Sequence, residues 1–554
     1  MLFLILALGF GLRILGLPYG LPDLFHADEP ILMNAALLLP LNQGDPKFYI
    51  IPSWSIYMAA IGPCLEVLMH MGSGRWDSME AYGKYILENP SMIYILGRFF
   101  GGVLPGVLSI LIFFDAIKKQ INTECALWAS FFLSISHIHV QHSHYLYADI
   151  WLTFWFLAAY NALIRFHFSR KMLWMYVTAI LVGCGVATKY SFVYISPFFI
   201  ICLFQLNRSK KTLQVWQELV ISVFISIATF IALNPYAFVR FSEYVKQVHQ
   251  QSHAEWYVGW LHHLHYSLGG GIGYMVLTLA VMGILGICLR GDVILRAMVA
   301  TSMLFYVIQV YFSQEFARYM LLMVPFIYLY ASLGLMRLIQ HFSIKIKIMI
   351  ALLLALTLLQ APVYSSYLFM QSDTRTLAKE WIEKNISEEE RIAIASLSQS
   401  PRLWKKPAQI QEIIELMDNQ NASQQKIMRW RWLEEIAQNQ QSYEWYSLLW
   451  ENETGENRKF YSLYPTVSRD LASLNAKQIN WIILNNQEKQ TQMQAFKEII
   501  QPTFKKVHAF SPYRSPLKTH SVDKYDSTAG PHLPKELFSR ERLGPYIEIY
   551  QRNR

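Results

Sequence analysis

Long apolar runs separated by short polar breaks fill the chain from residue 2 to about 370; beyond that point apolar and polar positions alternate at short intervals. A helix needs about 20 apolar residues to cross the hydrocarbon core of a bilayer. Eleven runs approach that length: 2–17, 92–117, 124–140, 147–165, 172–188, 190–206, 215–233, 271–290, 295–313, 317–338 and 346–367. Residues 49–71 are also apolar, but Pro52 and Pro63 interrupt them. Proline removes a helical donor and clashes with the preceding turn, so this segment predicts an interfacial or re-entrant helix inside a long first external loop, residues 18–91. The N-terminus is apolar almost from Met1, with no basic lead-in and no small-residue cleavage site, and reads as a retained first helix. Past 371 the pattern changes. Asp373 as an N-cap predicts a helix over 374–385, with Leu377, Trp381 and Ile382 on one face. Strands are expected at 391–396, 480–485 and 546–551, and helices at 424–439 and 487–500. The fold class is therefore an all-α polytopic membrane domain, residues 1–370, followed by a small α/β extracytoplasmic domain, residues 371–554.

Composition supports this division. Hydrophobic residues make up 53% and charged residues 16% of the chain, against about 25% charged in soluble proteins. The formal charge of +9 raises nucleic acid as a partner, but the basic residues sit in the short breaks between apolar runs, where membrane topology accounts for them. Lys118 and Lys119 follow the second run, Arg165, Arg170 and Lys171 the fourth, and Arg208, Lys210 and Lys211 the sixth. Arg290 and Arg296 flank the break after the eighth; Arg337, Lys345 and Lys347 follow the tenth. Every even-numbered exit is basic and hence cytoplasmic, which turns the odd-numbered exits and the C-terminal domain outward. All five cysteines precede residue 290, which excludes a disulfide-stapled soluble module.

With that topology four polar sites share the external face. They are His26-Ala27-Asp28-Glu29, the stretch from His142 to Asp149, Thr188-Lys189-Tyr190, and Glu315-Phe316-Ala317-Arg318-Tyr319. Each has a plainer explanation: acids cap helix N-termini, and lysine and arginine snorkel at interfaces. Two acidic and two cationic sites on one membrane edge make an active-site inventory, because charge near membrane depth is costly. The histidines His137, His139, His142 and His144, and His249, His253, His262, His263 and His265, together with Asp28 and Asp149, raise a possible divalent metal. Their spacings match no defined site, and interfacial hydrogen bonding is the simpler role.

The ordered series resembles a known family. It runs from Arg13 through His26-x-Asp28-Glu29, Lys47-Phe48-Tyr49-Ile50-Ile51-Pro52-Ser53, Gly97-Arg98, the segment from Ser136 to Asp149, and Gly185-Val186-Ala187-Thr188-Lys189-Tyr190, to Arg318-Tyr319-Met320-Leu321 with Pro325. It is similar to the C-type glycosyltransferases (GT-C fold), specifically the protein O-mannosyltransferase and aminoarabinose-transferase (ArnT-like) group. The resemblance implies a membrane enzyme that moves a hexose or pentose from an undecaprenyl- or dolichyl-phosphate donor to a protein or glycolipid acceptor on the outer face. It implies Asp28 as the base, with Glu29 in support and Asp149 orienting a cation or the acceptor. It implies Lys189 and Arg318 on the donor phosphate, joined by Arg98, Tyr190 and Tyr319, with His26 and His144 close by and no assigned metal ligand. Apolar grooves between spans would hold the polyprenyl tail, and the loop 234–270, helical through Gln250, would cover it. A bacterial inner membrane, with the site facing the periplasm or exterior, is the expected setting. The soluble domain carries no nucleotide loop, zinc pattern or hydrolase triad; acceptor recognition and a structural cap are its two expected roles. Its sequons at Asn385, Asn421 and Asn452 occur at chance frequency. The rival from another class is a polytopic lipid flippase or transporter. That class concentrates polar residues at the bilayer midplane in broken helices, whereas here they lie at one edge.

Overall fold

A computed structural model describes every residue except 71–75, 208–210, 253–258, 313–314, 397–398, 421, 450–463, 487–489, 520–533 and 554. Arg208, Lys210, His253, Asn421 and Asn452 thus lie outside the described residues, as does the start of the helix expected at 487. Each of the eleven apolar runs carries helix. Among the described residues five stretches are long and apolar enough to cross a membrane: Ser91–Gln120, Thr212–Leu233, Val293–Phe312, Ala317–Ile339 and Ile344–Asn385. A sixth is added if His263–Ile272 and Tyr274–Arg290, bent by 107°, form one span. Leu2–Ile14, Met172–Thr188 and Tyr190–Leu206 are shorter apolar helices. The helices fall short of the runs because several tighten into 3₁₀ turns at the end carrying the polar motifs, at Tyr190–Ile195 beside Lys189 and at Ala317–Met323 around Arg318. The interrupted segment 49–71 folds as two short helices, Ser53–Ala59 and Ile61–His70. At 1.5 Å per residue neither reaches across a bilayer.

Two devices close the helix packing. Arg13, fully buried, donates from Nη1 to the Gly9 and Ser134 carbonyls at 2.7 and 2.9 Å, and from Nη2 to the Leu133 carbonyl at 3.2 Å. Leu133 and Ser134 end the helix Thr123–Ser134, so the guanidinium adds donors to carbonyls beyond which the helical ladder does not continue. The rod Ser91–Gln120 contains a π turn, Phe99–Val103, at Gly101-Gly102. A Cβ on Gly102 would lie 2.2 Å from the Ser143 carbonyl oxygen; the missing side chain lets the backbone before Asp149 press against the rod. Thr212–Leu233 buries only Val215, and Ile344–Leu358 only Leu354. Helices apolar on every side and left uncovered by protein are suited to lipid.

The C-terminal part is a seven-stranded sheet, β1 Arg391–Ile394, β2 Trp404–Lys405, β3 Ser442–Leu449, β4 Thr466–Ser468, β5 Trp481–Asn485, β6 Phe504–Phe510 and β7 Ile547–Arg552. The order is β2-β3-β1-β5-β7-β6, with β4 also on β3. Strands β1 to β5 pair in parallel, and β7 runs antiparallel to both β5 and β6. Helix Thr374–Asn385 covers one face through Ala378 and Ile382, and Gln490–Ile500 the other through Phe496 and Ile500. The strands expected from sequence are the central β1, β5 and β7. Strand β3 went unread because its burial follows no alternation, as expected of a strand covered on both faces.

Lys405 at the sheet edge is buried and forms no ion pair among the described residues. Its Nζ stands 3.1 Å from the Trp445 ring centroid and donates to the Trp445 carbonyl at 3.2 Å. Burial pushes the ammonium down to about 6 from 10.5. Between those values the unfolded chain binds one proton more than the native one, so stability rises with pH through that window, by at most about 1.4 kcal/mol per unit. Lys405→Met is expected to flatten the rise in apparent melting temperature between pH 6.5 and 9, followed by tryptophan fluorescence of the purified protein. An equal slope in both proteins contradicts the assignment.

Candidate active site

Asp28 stands at the N-cap position of the helix Glu29–Leu37 without a side-chain capping bond, and the first turn carries Glu29 and Pro30. Glu29 turns inward and meets Arg98 in a two-pronged pair, Nε to Oε1 at 2.8 Å and Nη2 to Oε2 at 2.7 Å, with both side chains at most 1% exposed. Arg98 Nη1 donates to the Leu17 and Tyr19 carbonyls at 2.7 and 2.8 Å, and the Leu146 amide donates to Glu29 Oε1 at 2.8 Å. Burial opposes charge on Glu29, yet the guanidinium and these donors hold its carboxyl below the ordinary value. Arg98, expected at the donor phosphate, is instead committed through each of its nitrogens to this junction.

Asp28 points the other way and remains partly exposed. Arg318 Nη1 stands 3.1 Å from its Oδ2, and Lys189 Nζ donates to Asp149 Oδ1 at 2.7 Å. Two tyrosines join the pairs. Lys189 Nζ lies 5.5 and 4.8 Å from the Tyr147 and Tyr319 ring centroids, and the Arg318 guanidinium lies 5.2 and 5.8 Å from the same two rings. Phe316 flanks Arg318 at 4.5 Å. The negative faces of the rings attract both cations and separate them from each other. Arg318 Nε and Asp149 Oδ2 are buried with no hydrogen-bond partner among the described residues, so the cluster keeps one unused donor and one unused acceptor. Tyr147 was not singled out from sequence, although it stands two residues before Asp149.

The remaining expected residues take supporting places. His26 Nδ1 accepts from the Asp28 amide at 3.2 Å, and its ring packs on Tyr145 at 4.3 Å. Burial lowers the His26 imidazole below its ordinary value against the pull of Glu29 and Asp28, which keeps it neutral and able to accept. His144 places Nδ1 and Nε2 at 2.9 and 2.8 Å from the Val140 and Leu15 carbonyls, donating its one N–H to one of them, and stacks on Phe369; it braces the loop. Tyr190 donates to the Tyr49 carbonyl at 2.9 Å and meets the Tyr244 ring. Both tyrosines line an apolar cavity of about 550 Å³ between Met172–Thr188, Ser196–Leu206 and Thr212–Leu233, with Val186, Phe199, Leu219 and Phe230 on its walls. Tyr190 therefore belongs to the groove, not to the charged cluster. The helix expected to end near Gln250 is Phe241–Ser252, and it carries Tyr244 over this groove. Among the described residues no three of His, Cys, Asp and Glu converge as metal ligands, because Asp28 and Asp149 are each turned to a cation.

The soluble domain grips the loop that holds Asp28. Tyr19 donates to Asp373 Oδ2 at 2.7 Å, and Arg375 donates from Nε and Nη2 to the same carboxylate at 2.8 Å each. The Arg375 guanidinium lies 3.9 Å over the Phe25 ring, and Lys379 donates to Asp23 at 2.8 Å. Burial disfavours the Asp373 charge, but Arg375 and Tyr19 keep its carboxyl below the ordinary range.

Comparison with known proteins meets this geometry at several points. Residues 73–249 match the model of the dolichyl-phosphate-mannose-protein mannosyltransferase family, a segment that contains Arg98, Asp149 and Lys189. No curated protein matches by sequence. ArnT from Cupriavidus metallidurans, in the apo state, has a TM-score of 0.50 and 11% identity over 91% of this chain and 95% of its own. The apo oligosaccharyltransferase of Archaeoglobus fulgidus has a TM-score of 0.47 and 12% identity, over 92% of this chain and 73% of its own. The S. cerevisiae Pmt1–Pmt2 complex bound to the sugar donor covers 44% of this chain and 34% of its own, with a TM-score of 0.33 and 16% identity. Fold and matched segment point to one class: this integral membrane protein is similar in fold to ArnT and, over residues 73–249, to the mannosyltransferase family. Within that class its likeness is to the protein O-mannosyltransferase and ArnT-like group.

Breaking one side of a buried ion pair costs about 3–5 kcal/mol, since the other charge is stranded. Glu29→Gln and Arg98→Met are each expected to lower thermal stability and yield sharply, and the double variant to recover most of the loss. Additive losses, measured by thermal unfolding of the three proteins in detergent, would show that the pair is not coupled.

Proposed function

We propose that the protein transfers a sugar from a polyprenyl-phosphate donor to an acceptor on the extracytoplasmic face. The observation that carries this reading is the pairing of Asp28 with Arg318 and Asp149 with Lys189 around Tyr147 and Tyr319, next to an apolar groove. The tail lies in the groove and the phosphate reaches Lys189 and Arg318 at its end. The family description names a dolichyl-phosphate sugar as the donor of related enzymes, which agrees with a lipid-sized apolar slot beside two cations.

The resting cluster is formally neutral, with two carboxylates against two cations. An arriving phosphate competes for Arg318 and Lys189, whose charge-assisted bonds to phosphate are strong; the arginine contributes a fork and the lysine a point charge. Asp28, loosened from Arg318, accepts the proton of the acceptor hydroxyl as that oxygen attacks the anomeric carbon. The bond from that carbon to the phosphate oxygen breaks, and its electron pair leaves with the lipid phosphate. The two preorganised cations stabilise the charge that develops there. Asp149 holds Lys189 in place, Glu29 and Arg98 fix the helix that Asp28 precedes, and His26 holds the Asp28 backbone.

Orientation has its own support. Helix Asp149–Ser169 starts at Asp149 and carries Arg165 near its end, roughly 24 Å away at 1.5 Å per residue. Arg165 and Lys119 both pair with Asp115 at that far end, where the basic loops collect. The site and the basic residues therefore occupy opposite membrane faces, the basic one cytoplasmic.

The test is a transfer assay with purified protein in lipid and radiolabelled polyprenyl-phosphate sugars. Asp28→Asn is expected to lower turnover by about 10²–10⁴ with donor binding retained. Lys189→Ala and Arg318→Ala are expected to weaken donor binding by at least about tenfold each. Unchanged turnover by Asp28→Asn removes the assigned base, and movement of lipid across the vesicle without label transfer removes the transferase reading.

A further inference from the structure

The short helix His137–His142 ends in a residue that no step so far employs. His142 Nε2 is buried with no hydrogen-bond partner among the described residues, as are Asp149 Oδ2 and Arg318 Nε. Its neighbours in the sequence are engaged: His139 Nδ1 lies 3.0 Å from Arg13 Nη2, and His144 sits between two carbonyls. His142 is only 5% exposed, and a buried polar atom left unpaired costs stability. The plain reading is a ring that fills space, but a phenylalanine or a leucine would fill it without that penalty.

Contacts place this ring at the charged cluster. Its helix packs against the turn Ala317–Met323, which carries Arg318, and against the helix that starts at Asp149. The His142 ring stands 6.2 Å from Tyr145, and Tyr145 lies 4.3 Å from His26, whose Nδ1 accepts from the Asp28 amide. His26 is in turn 6.5 Å from Tyr147, the ring that lies against both Lys189 and Arg318. Burial first, and the Arg318 charge second, lower the imidazole well below its ordinary value. The ring is therefore neutral and suited to an uncharged hydroxyl, which can give or take the hydrogen.

We propose that His142 Nε2 and Asp149 Oδ2 form the subsite for the donor's sugar, each hydrogen-bonding one of its hydroxyls. This rests on the transferase reading above and adds the residue that reads the sugar. In that reading the phosphate takes Lys189 and Arg318, and the sugar is joined to the phosphate through a single oxygen, so its hydroxyls fall beside those two cations. Asp149 Oδ1 already accepts from Lys189, which leaves Oδ2 of the same carboxylate to accept from a hydroxyl in a charge-assisted bond. The cost of the two unpaired atoms is offset when the sugar arrives, and a lipid phosphate without a sugar leaves it standing.

Competition binding to the purified full chain in lipid nanodiscs tests the assignment. Radiolabelled undecaprenyl phosphate is displaced by unlabelled undecaprenyl phosphate, undecaprenyl-phosphate mannose or undecaprenyl-phosphate glucose. Wild type is expected to hold at least one of the sugar-bearing lipids about tenfold more tightly than the bare lipid phosphate. H142F keeps a ring in place and should abolish that preference while binding undecaprenyl phosphate within about twofold of wild type; H142Q should keep part of the preference. H142F is also expected to melt at or above wild type, because an unpaired buried polar atom is gone. H142L is a second apolar variant read in the same way. A preference retained in both apolar variants overturns the proposal. Melting well below wild type in both, or weaker binding of all three lipids in step, assigns the ring to packing and overturns it as well. A wild type that binds the three lipids equally has no sugar subsite, which sinks this inference and leaves the donor-phosphate site standing. A wild type that binds none of them removes the transferase reading and this inference with it.

Discussion

The two-pronged bond between Glu29 and Arg98 is the interaction on which the site depends. It joins four stretches of chain that are otherwise separate: the turn at Leu17–Tyr19, the helix that starts at Glu29, the rod that carries Arg98, and the backbone at Leu146. Neither partner faces the proposed substrate. Because the pair fills its own hydrogen-bonding capacity, it can be buried at low cost and can set position without competing for a phosphate. Asp28 takes its place from this junction, being the residue immediately before the anchored glutamate.

A site that binds an anion must hold cations without letting them repel one another or collapse onto buried carboxylates for good. This chain meets both needs with rings. Tyr147 and Tyr319 lie against Lys189 and Arg318, and each cation also has a carboxylate. The rings carry no charge to be displaced, so they keep holding the cations while a phosphate replaces the carboxylates. The unused Arg318 Nε and Asp149 Oδ2 mark the cluster as one made for a further partner.

Much of this was legible in sequence, for identifiable reasons. The apolar runs gave the helices because lipid-facing segments need continuous hydrophobicity, and the basic loops supply the direction proposed for them. Asp28, Asp149, Lys189 and Arg318 stood out because charge is rare near such runs, and the structure brings all four together. The same criterion could not separate Arg98 from Arg318: both are arginines near a membrane edge, and only the fold turns one into an interior brace. Tyr147 escaped notice because a tyrosine at an interface needs no special explanation. The latch of Tyr19, Asp373 and Arg375 was invisible as well, since nothing local links residues that far apart, although Asp373 was read correctly as a helix cap.

That latch bears on the order in which the protein is made. Tyr19 and Asp23 are synthesised well before their partners, which lie 354 and 356 positions later. Asp373 and Arg375 are themselves held in a turn closed by Thr374, which bonds with the Leu543 and Pro545 carbonyls. The ring of contacts around the loop of Asp28 thus closes only after residue 545 has been synthesised. Loops of this span close at modest entropic cost, but not before both ends exist. The membrane helices can insert and pack while translation continues, whereas the reactive loop stays unlocked until the sheet outside the membrane has folded. Folding of the sheet is in this sense a checkpoint on the assembly of the site.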